Sequence, residues 1–104
     1  MSLFKGKIYC FTCNKKHKYK KRSKKPVYVC SKYDNYGSNA CDRNQISEEE
    51  VVWLISGHFA IGEIDVTREF IIENVSHIIA GAESIEVFYN NGQKSLISST
   101  QMIK

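Results

Sequence analysis

Four cysteines constrain this chain more than any other feature. Cys10-Phe-Thr-Cys13 sets two thiols two residues apart, Cys30 follows after sixteen residues, and Cys41 after ten more. The two-residue spacing lets both thiolates of a tight knuckle face one metal ion. All four fall in a segment too polar to fold around an apolar core of its own, and a metal supplies what that segment lacks. The set therefore reads as a Cys₄ zinc site closing a small β-ribbon. Four sulfurs fill the coordination shell and leave no open position for water or substrate, so the metal reads as structural. Backbone amides of the Cys10–Cys13 knuckle are expected to hydrogen-bond to the sulfurs. Two other chemistries compete with zinc. One is a pair of disulfides, with three possible connectivities. The other is a redox-active Cys10–Cys13 pair, which lacks the surrounding βαβ pattern that such pairs have. His17 could replace one thiolate, but with four cysteines at hand it reads as an exposed histidine.

Length and charge narrow the rest. The 104 residues form one domain, or two small lobes sharing one interface, and a hydrophobic content of 42% supports a modest core. The net charge of +4 hides an asymmetry. Residues 1–45 hold twelve cations against Asp34 and Asp42, a balance of +10, while residues 46–104 hold three cations against nine acids, a balance of −6. Such a split gives one end that faces polyanions and another that packs or meets partners. No apolar run is long enough to span a membrane, and no secretory signal opens the chain. A cytoplasmic location is expected, where cysteines are metal ligands more often than disulfides.

The pattern along the chain predicts an α+β fold: a zinc β-ribbon over 1–45, then a lobe over 46–104 with two short helices and a C-terminal β-hairpin. Lys7–Cys10 and Val27–Cys30 place β-formers directly before a cysteine, so each strand delivers its ligand at its end. Between them, Lys15, Lys16, Lys18, Lys20, Lys21, Arg22, Lys24 and Lys25 crowd around Tyr19. That run reads either as a solvated hairpin arm or as a nucleic-acid surface. In the second case lysines neutralise phosphates and rings add stacking or sugar contacts. Ser31–Ala40 reads as a loop. Ser47-Glu-Glu-Glu50 is a capping box, with Ile46 and Val51 as its staple, and it predicts a helix over about 48–56 stopped by Gly57. A second helix is predicted from Thr67 to just before Gly81, on the apolar spacing of Ile71, Val75, Ile78 and Ile79. Ile85, Val87 and Tyr89 then share one face of a strand. Asn91-Gly92 turns it into a partner strand over Lys94–Ser98, with both turn residues expected at positive φ.

No catalytic constellation emerges. His58 and His77 lack a nucleophile partner and read as structural or solvent-facing. Capping accounts for Glu48, Glu49 and Glu50, and a solvated helix face for Asp65, Glu69 and Glu73. No phosphate-binding loop, nucleophile elbow or zinc-protease signature is present.

With these residues in view, Leu3-Phe-Lys-Gly6-Lys-Ile-Tyr-Cys10-Phe-Thr-Cys13 resembles the opening of the recombinase zinc β-ribbon. That module belongs to the large serine recombinases of the resolvase–invertase superfamily, the site-specific integrases and transposases of prophages and mobile elements. The basic hairpin, the strand ending in the third cysteine and the acidic helix after the fourth continue the likeness over about residues 3–55. The helix and hairpin of Arg68–Gly92 are similar to the segment that closes such proteins.

The resemblance implies a bacterial, cytoplasmic DNA-binding module. It implies structural Zn²⁺ on Cys10, Cys13, Cys30 and Cys41, and double-stranded, attachment-site-like DNA as partner, with other recombinase protomers as further partners. DNA contacts are then expected from Lys15, Lys16, Lys18, Tyr19, Lys20, Lys21, Arg22, Lys24 and Lys25. The family's catalytic domain would precede this region, so no catalytic residue is assigned here and the chain itself is not expected to be an enzyme. The long coiled coil of many members has no counterpart, because only Gly57–Val66 separates the two predicted helices. A stand-alone zinc ribbon that binds RNA, or an adaptor in transcription or translation machinery, is the alternative.

Overall fold

The computed structural model describes residues 3–22, 25–37, 39–41, 44–81 and 84–98. Its strands assort into two sheets. The smaller is antiparallel, with β3 (Lys25–Cys30) between β2 (His17–Arg22) and the two-residue β4 (Ile46–Ser47). The larger has the order β1-β5-β6-β7, formed by Ile8–Cys10, Val75–Ala80, Ser84–Tyr89 and Lys94–Ser98. Its last three strands are an antiparallel meander, while β1 runs parallel to β5 with Ile8 opposite Ile78. Among the described residues three helices complete the α+β architecture: α1 (Ser31–Tyr36), α2 (Glu48–Phe59) and α3 (Arg68–Asn74), with a 3₁₀ turn at Glu63–Asp65.

The two lobes expected on either side of residue 46 share one core. Phe4, Ile8 and Tyr28 from the first pack in the same cluster as Val51, Ile55, Ile71, Val87 and Ile97 from the second. Two polar clasps reinforce the seam. The Tyr28 hydroxyl donates to Glu48 Oε1 at 2.8 Å and accepts from the Phe4 N–H at 3.1 Å. The Arg68 guanidinium donates to the carbonyls of Leu3 and Lys5 at 2.7 and 3.2 Å. The Phe4–Tyr28 bond is buried, and pairing its two groups avoids a desolvation penalty of about 1–3 kcal/mol.

Helix α2 starts as its capping box dictates. The Glu50 N–H donates to Ser47 Oγ at 3.1 Å, and the Ser47 N–H donates back to Glu50 Oε1 at 3.3 Å. Three glutamates in its first turn meet the positive end of the helix dipole. The helix does not stop at Gly57 as the sequence suggested. It continues to Phe59 and ends on Ala60, which adopts the left-handed conformation at φ 56°. Packing extends it: the Phe59 ring sits edge-on to Phe70 and Tyr89, with centroids 5.2 and 5.1 Å away.

Three further expectations are corrected. The second helix covers only Arg68–Asn74, and Val75–Ala80 is strand β5. A β-bulge between Val75 and His77 explains the misreading. The extra residue lets Val75 and Ile78, three apart, both face the core. A bulged strand thereby imitates helical spacing, and the β-branched content then decides for strand. Ser31–Tyr36, expected as loop, is helix α1, which ends at Gly37 with φ 88°. The final hairpin does form between β6 and β7, and Ile85, Val87 and Tyr89 all point inward. Only Gly92 takes positive φ, at 89°. The turn is closed by Gly92 N–H to Tyr89 O at 3.1 Å and Tyr89 N–H to Gln93 O at 2.9 Å, the geometry of a glycine-bulge hairpin. The tail beyond Ser98 lies outside the described residues. No described helix is long and apolar enough to cross a membrane.

Gly57 gives a direct check of the helix boundary. A Cβ built there meets nothing within 4 Å, and the backbone lies outside the positive-φ region. Gly57→Ala should therefore stabilise the zinc-loaded protein by about 0.5–1 kcal/mol in urea unfolding. Destabilisation would mean that Gly57 ends the helix after all.

Candidate metal centre and nucleic-acid interface

The four cysteines arrive from separate elements. Cys10 closes β1, Cys13 ends the turn that follows it, Cys30 closes β3, and Cys41 precedes β4. Their sulfurs all lie within 4.8 Å of one another, with Cys10 to Cys41 at 3.6 Å and Cys13 to Cys30 at 3.5 Å. Thiolates held at a Zn–S distance of about 2.3 Å stand about 3.8 Å apart on the edges of a tetrahedron. The four sulfurs are thus already grouped at the spacing one tetrahedral zinc requires. All four cysteines are free thiols, which removes the disulfide reading. His17 is not in the cluster.

The surroundings favour thiolate at the first position. Burial pushes the Cys10 thiol up. The Cys13 backbone N–H, the Asn44 side-chain amide, the Thr12 backbone N–H and Cys41 outweigh it and bring the group to about 7. Burial raises the Cys30 thiol, against a lowering hydrogen bond from the Tyr33 backbone. Cys41 is pushed up strongly, by burial first and then by the three neighbouring sulfurs. Four sulfurs this close cannot all ionise against one another. A divalent cation removes that conflict, and its binding expels the remaining protons. The donor set, its spacing and its amide hydrogen bonds therefore fit zinc.

Sequence reasoning missed the residue that braces this centre. Asn44 is 5% exposed, sits at φ 45°, and donates its amide to Cys10 Sγ at 3.1 Å and to Thr12 Oγ1 at 3.2 Å. Its backbone carbonyl accepts from His17 Nε2 at 2.9 Å. His17 is thus half-buried rather than exposed, and it holds the Asn44 loop instead of the metal. Burial keeps its pKa below the usual imidazole value, with the Asn44 carbonyl opposing, so the ring is neutral at pH 7. The only available signal was weak: asparagine tolerates left-handed backbone just after the fourth cysteine.

The basic arm divides into engaged and free cations. Alternation along β2 sends Lys18 and Lys20 toward α1, where both pair with Asp34. Lys18 also donates to Asn35 Oδ1 at 2.9 Å. Hydrogen bonds from Lys20 and then Lys18 hold the Asp34 carboxyl below its usual range. Tyr19 lies on the opposite face, edge-on to Tyr28 at 5.6 Å, and is 38% exposed. Lys15, Lys16, Lys21 and Lys25 are exposed. Arg22 ends β2, but its side chain and the whole of Lys24 lie outside the described residues. His58 stacks on Tyr89 and His77 on Phe88, with centroids 4.2 and 4.4 Å apart, so both histidines serve packing.

Compared with known protein families, residues 3–57 match the recombinase zinc beta ribbon domain. No curated protein and no solved structure matches the chain.

Asn44→Gly keeps the left-handed backbone available while deleting the amide donor. It should weaken zinc binding about ten-fold or more in chelator competition, the usual cost of losing a hydrogen bond to a ligand sulfur. Affinity equal to wild type would reduce Asn44 to a loop-shaping residue.

Proposed function

The chain belongs to the recombinase zinc beta ribbon family, and from that premise we propose that it is the DNA-binding module of a serine site-specific recombinase or integrase from a prophage or mobile element. On this reading Cys10, Cys13, Cys30 and Cys41 hold structural zinc. The ribbon is a non-catalytic module, and strand exchange belongs to a domain that precedes it. Attachment-site-like duplex DNA is its partner, with other recombinase protomers alongside.

One observation carries this reading. The hairpin of β2 and β3, two-stranded beyond the short pairing of β4 with Val27 and Tyr28, is anchored at its base by the metal cluster and carries cations along its outer strand. A two-stranded β-ribbon fits the major groove of B-DNA. Fixing the ribbon's base lowers the ordering cost of placing its lysines on phosphates. Lys15, Lys16, Lys21 and Lys25 are exposed and make none of the ion pairs among the described residues. Lys18 and Lys20 share Asp34, which dilutes the charge they can offer a phosphate. Four free cations on phosphates give log K against log salt a slope of roughly −4.

Gel shifts with zinc-loaded protein should return that slope on duplex DNA. Replacing Lys15, Lys16, Lys21 and Lys25 together by Ala should flatten it and weaken all sequences about equally. Tighter binding to RNA of the same length would favour a stand-alone RNA-binding ribbon instead. Partner capture that survives nuclease would favour an adaptor.

The chain alone should bind DNA without cutting it. Strand exchange of the serine kind needs an activated hydroxyl and several cations around the scissile phosphate. Of the three arginines, Arg22, Arg43 and Arg68, the last is committed to the carbonyls of Leu3 and Lys5. Incubation with supercoiled plasmid and magnesium should leave the plasmid intact. Nicking that co-purifies with the protein and disappears on mutating one of its residues would overturn this.

A further inference from the structure

Beside the metal knuckle, Lys15 and one side of α1 line an open cleft of about 480 Å³, together with Ser31, Lys32, Asn35 and Tyr36. Resting on the DNA-binding reading above, we propose that this cleft is a second seat for the DNA backbone. In it Lys15 and Lys32 grip phosphates, and the Tyr36 ring packs on the adjoining deoxyribose.

Helical spacing builds the site. Lys32 and Tyr36 are four residues apart on α1, as are Ser31 and Asn35, so each pair falls on one side of the helix. Asp34 is engaged elsewhere, by Lys18 and Lys20 on β2. Among the described residues the cleft is therefore lined by two cations and no carboxylate. Neither Lys15 nor Lys32 joins an ion pair among the described residues. Its polar donors are of the kind that contact phosphate and sugar oxygens.

Tyr36 supplies the second argument. Its ring is 75% exposed, the most exposed aromatic side chain described. A large ring left in water forgoes burial that a partner's apolar face can restore. Flanked by ammonium groups, it matches the pairing of aromatic surface with phosphate-neutralising charge by which proteins track a nucleic-acid strand.

The cleft is also held in register with the arm. Lys18 bridges Asp34 and Asn35 and so ties α1 to β2, while the Cys10–Lys15 backbone hydrogen bond of 2.9 Å ties Lys15 to the metal knuckle. Both walls are fixed to the ribbon, so a strand lying along the arm meets a preformed continuation rather than a loop that must be ordered.

Lys32→Gln and Tyr36→Ala separate this inference from the broader one, because neither residue belongs to the arm. Binding of the zinc-loaded protein to a duplex would be measured across a salt series. Lys32→Gln should reduce the slope of log K by about 0.9, the contribution of one phosphate contact, and Lys32→Arg should restore it. Tyr36→Ala should weaken binding roughly ten-fold at every salt concentration without changing the slope. Equal zinc content shows that the variants fold. Independently of the variants, the Tyr36 ring resonances of wild type should shift on titration with DNA. If wild type and both variants bind alike, with Tyr36 unshifted, while joint replacement of Lys16, Lys21 and Lys25 by Ala, which leaves the cleft intact, loses affinity, the cleft is overturned and the DNA-binding reading stands. If wild type binds no duplex, both fall.

Discussion

Convergence of four sulfurs at the junction of two sheets is the constraint on which everything else hangs. Cys10 and Cys13 hang from β1, an edge strand of the larger sheet, whereas Cys30 closes β3 and Cys41 precedes β4 of the smaller. Among the described residues, apart from a bridge between Tyr9 and Lys16, no ladder joins the two sheets. The cluster is thus a cross-link as well as a knuckle. Left as thiols, the sulfurs crowd one another, and burial and mutual repulsion push Cys41 far up. Zinc turns that repulsion into four bonds, so the energy of metal binding becomes energy of folding.

The charge pattern follows from the same economy of contacts. A strand rich in lysine repels itself, and Asp34, one of only two acids in the first 45 residues, is spent relieving that strain between Lys18 and Lys20. A solvent-facing ion pair of this kind adds little stability, so its role is placement rather than strength. It fixes α1 against β2 and sorts the cations into two classes. Lysines along an edge strand also discourage pairing with other chains, which accounts for some of the charge without any ligand. That argument does not reach Lys32 and Tyr36, which lie on α1 and not on a sheet edge.

Much of this was legible in the sequence, and the misses share a cause. Cys10, Cys13, Cys30 and Cys41 announced the metal centre because ligand spacing is a local property. Ser47 and Glu50 announced the start of α2 for the same reason, and Ile85, Val87 and Tyr89 announced β6 by strict alternation. Misreadings arose where a distant contact decided the outcome. Val75 and Ile78 keep helical spacing in a strand because of a bulge against β6. Ser31–Tyr36 looks like loop until Lys18 and Lys20 clasp Asp34. Gly57 looks like a stop until Phe59 finds Phe70 and Tyr89. His17 and Asn44, twenty-seven positions apart, meet only in the folded ribbon. The arm's cations were found as a class, but which ones are free depends on Asp34 across the hairpin.

The family match ends at residue 57, yet the fold does not divide there. Strand β1, which delivers Cys10, pairs in parallel with β5, which lies beyond the match. Three residues of strand have no stability of their own, and a sheet needs several strands with a covered face. The carbonyls of Leu3 and Lys5 rely on Arg68, and Lys7 Nζ donates to the Val75 carbonyl at 2.9 Å. Ile8 and Phe4 are buried among side chains drawn largely from residues 46–97. The acidic half therefore acts on the site without touching the metal: it builds the sheet from which the first two ligands hang. A ribbon cut at residue 57 would keep all four cysteines and lose the surface that positions half of them.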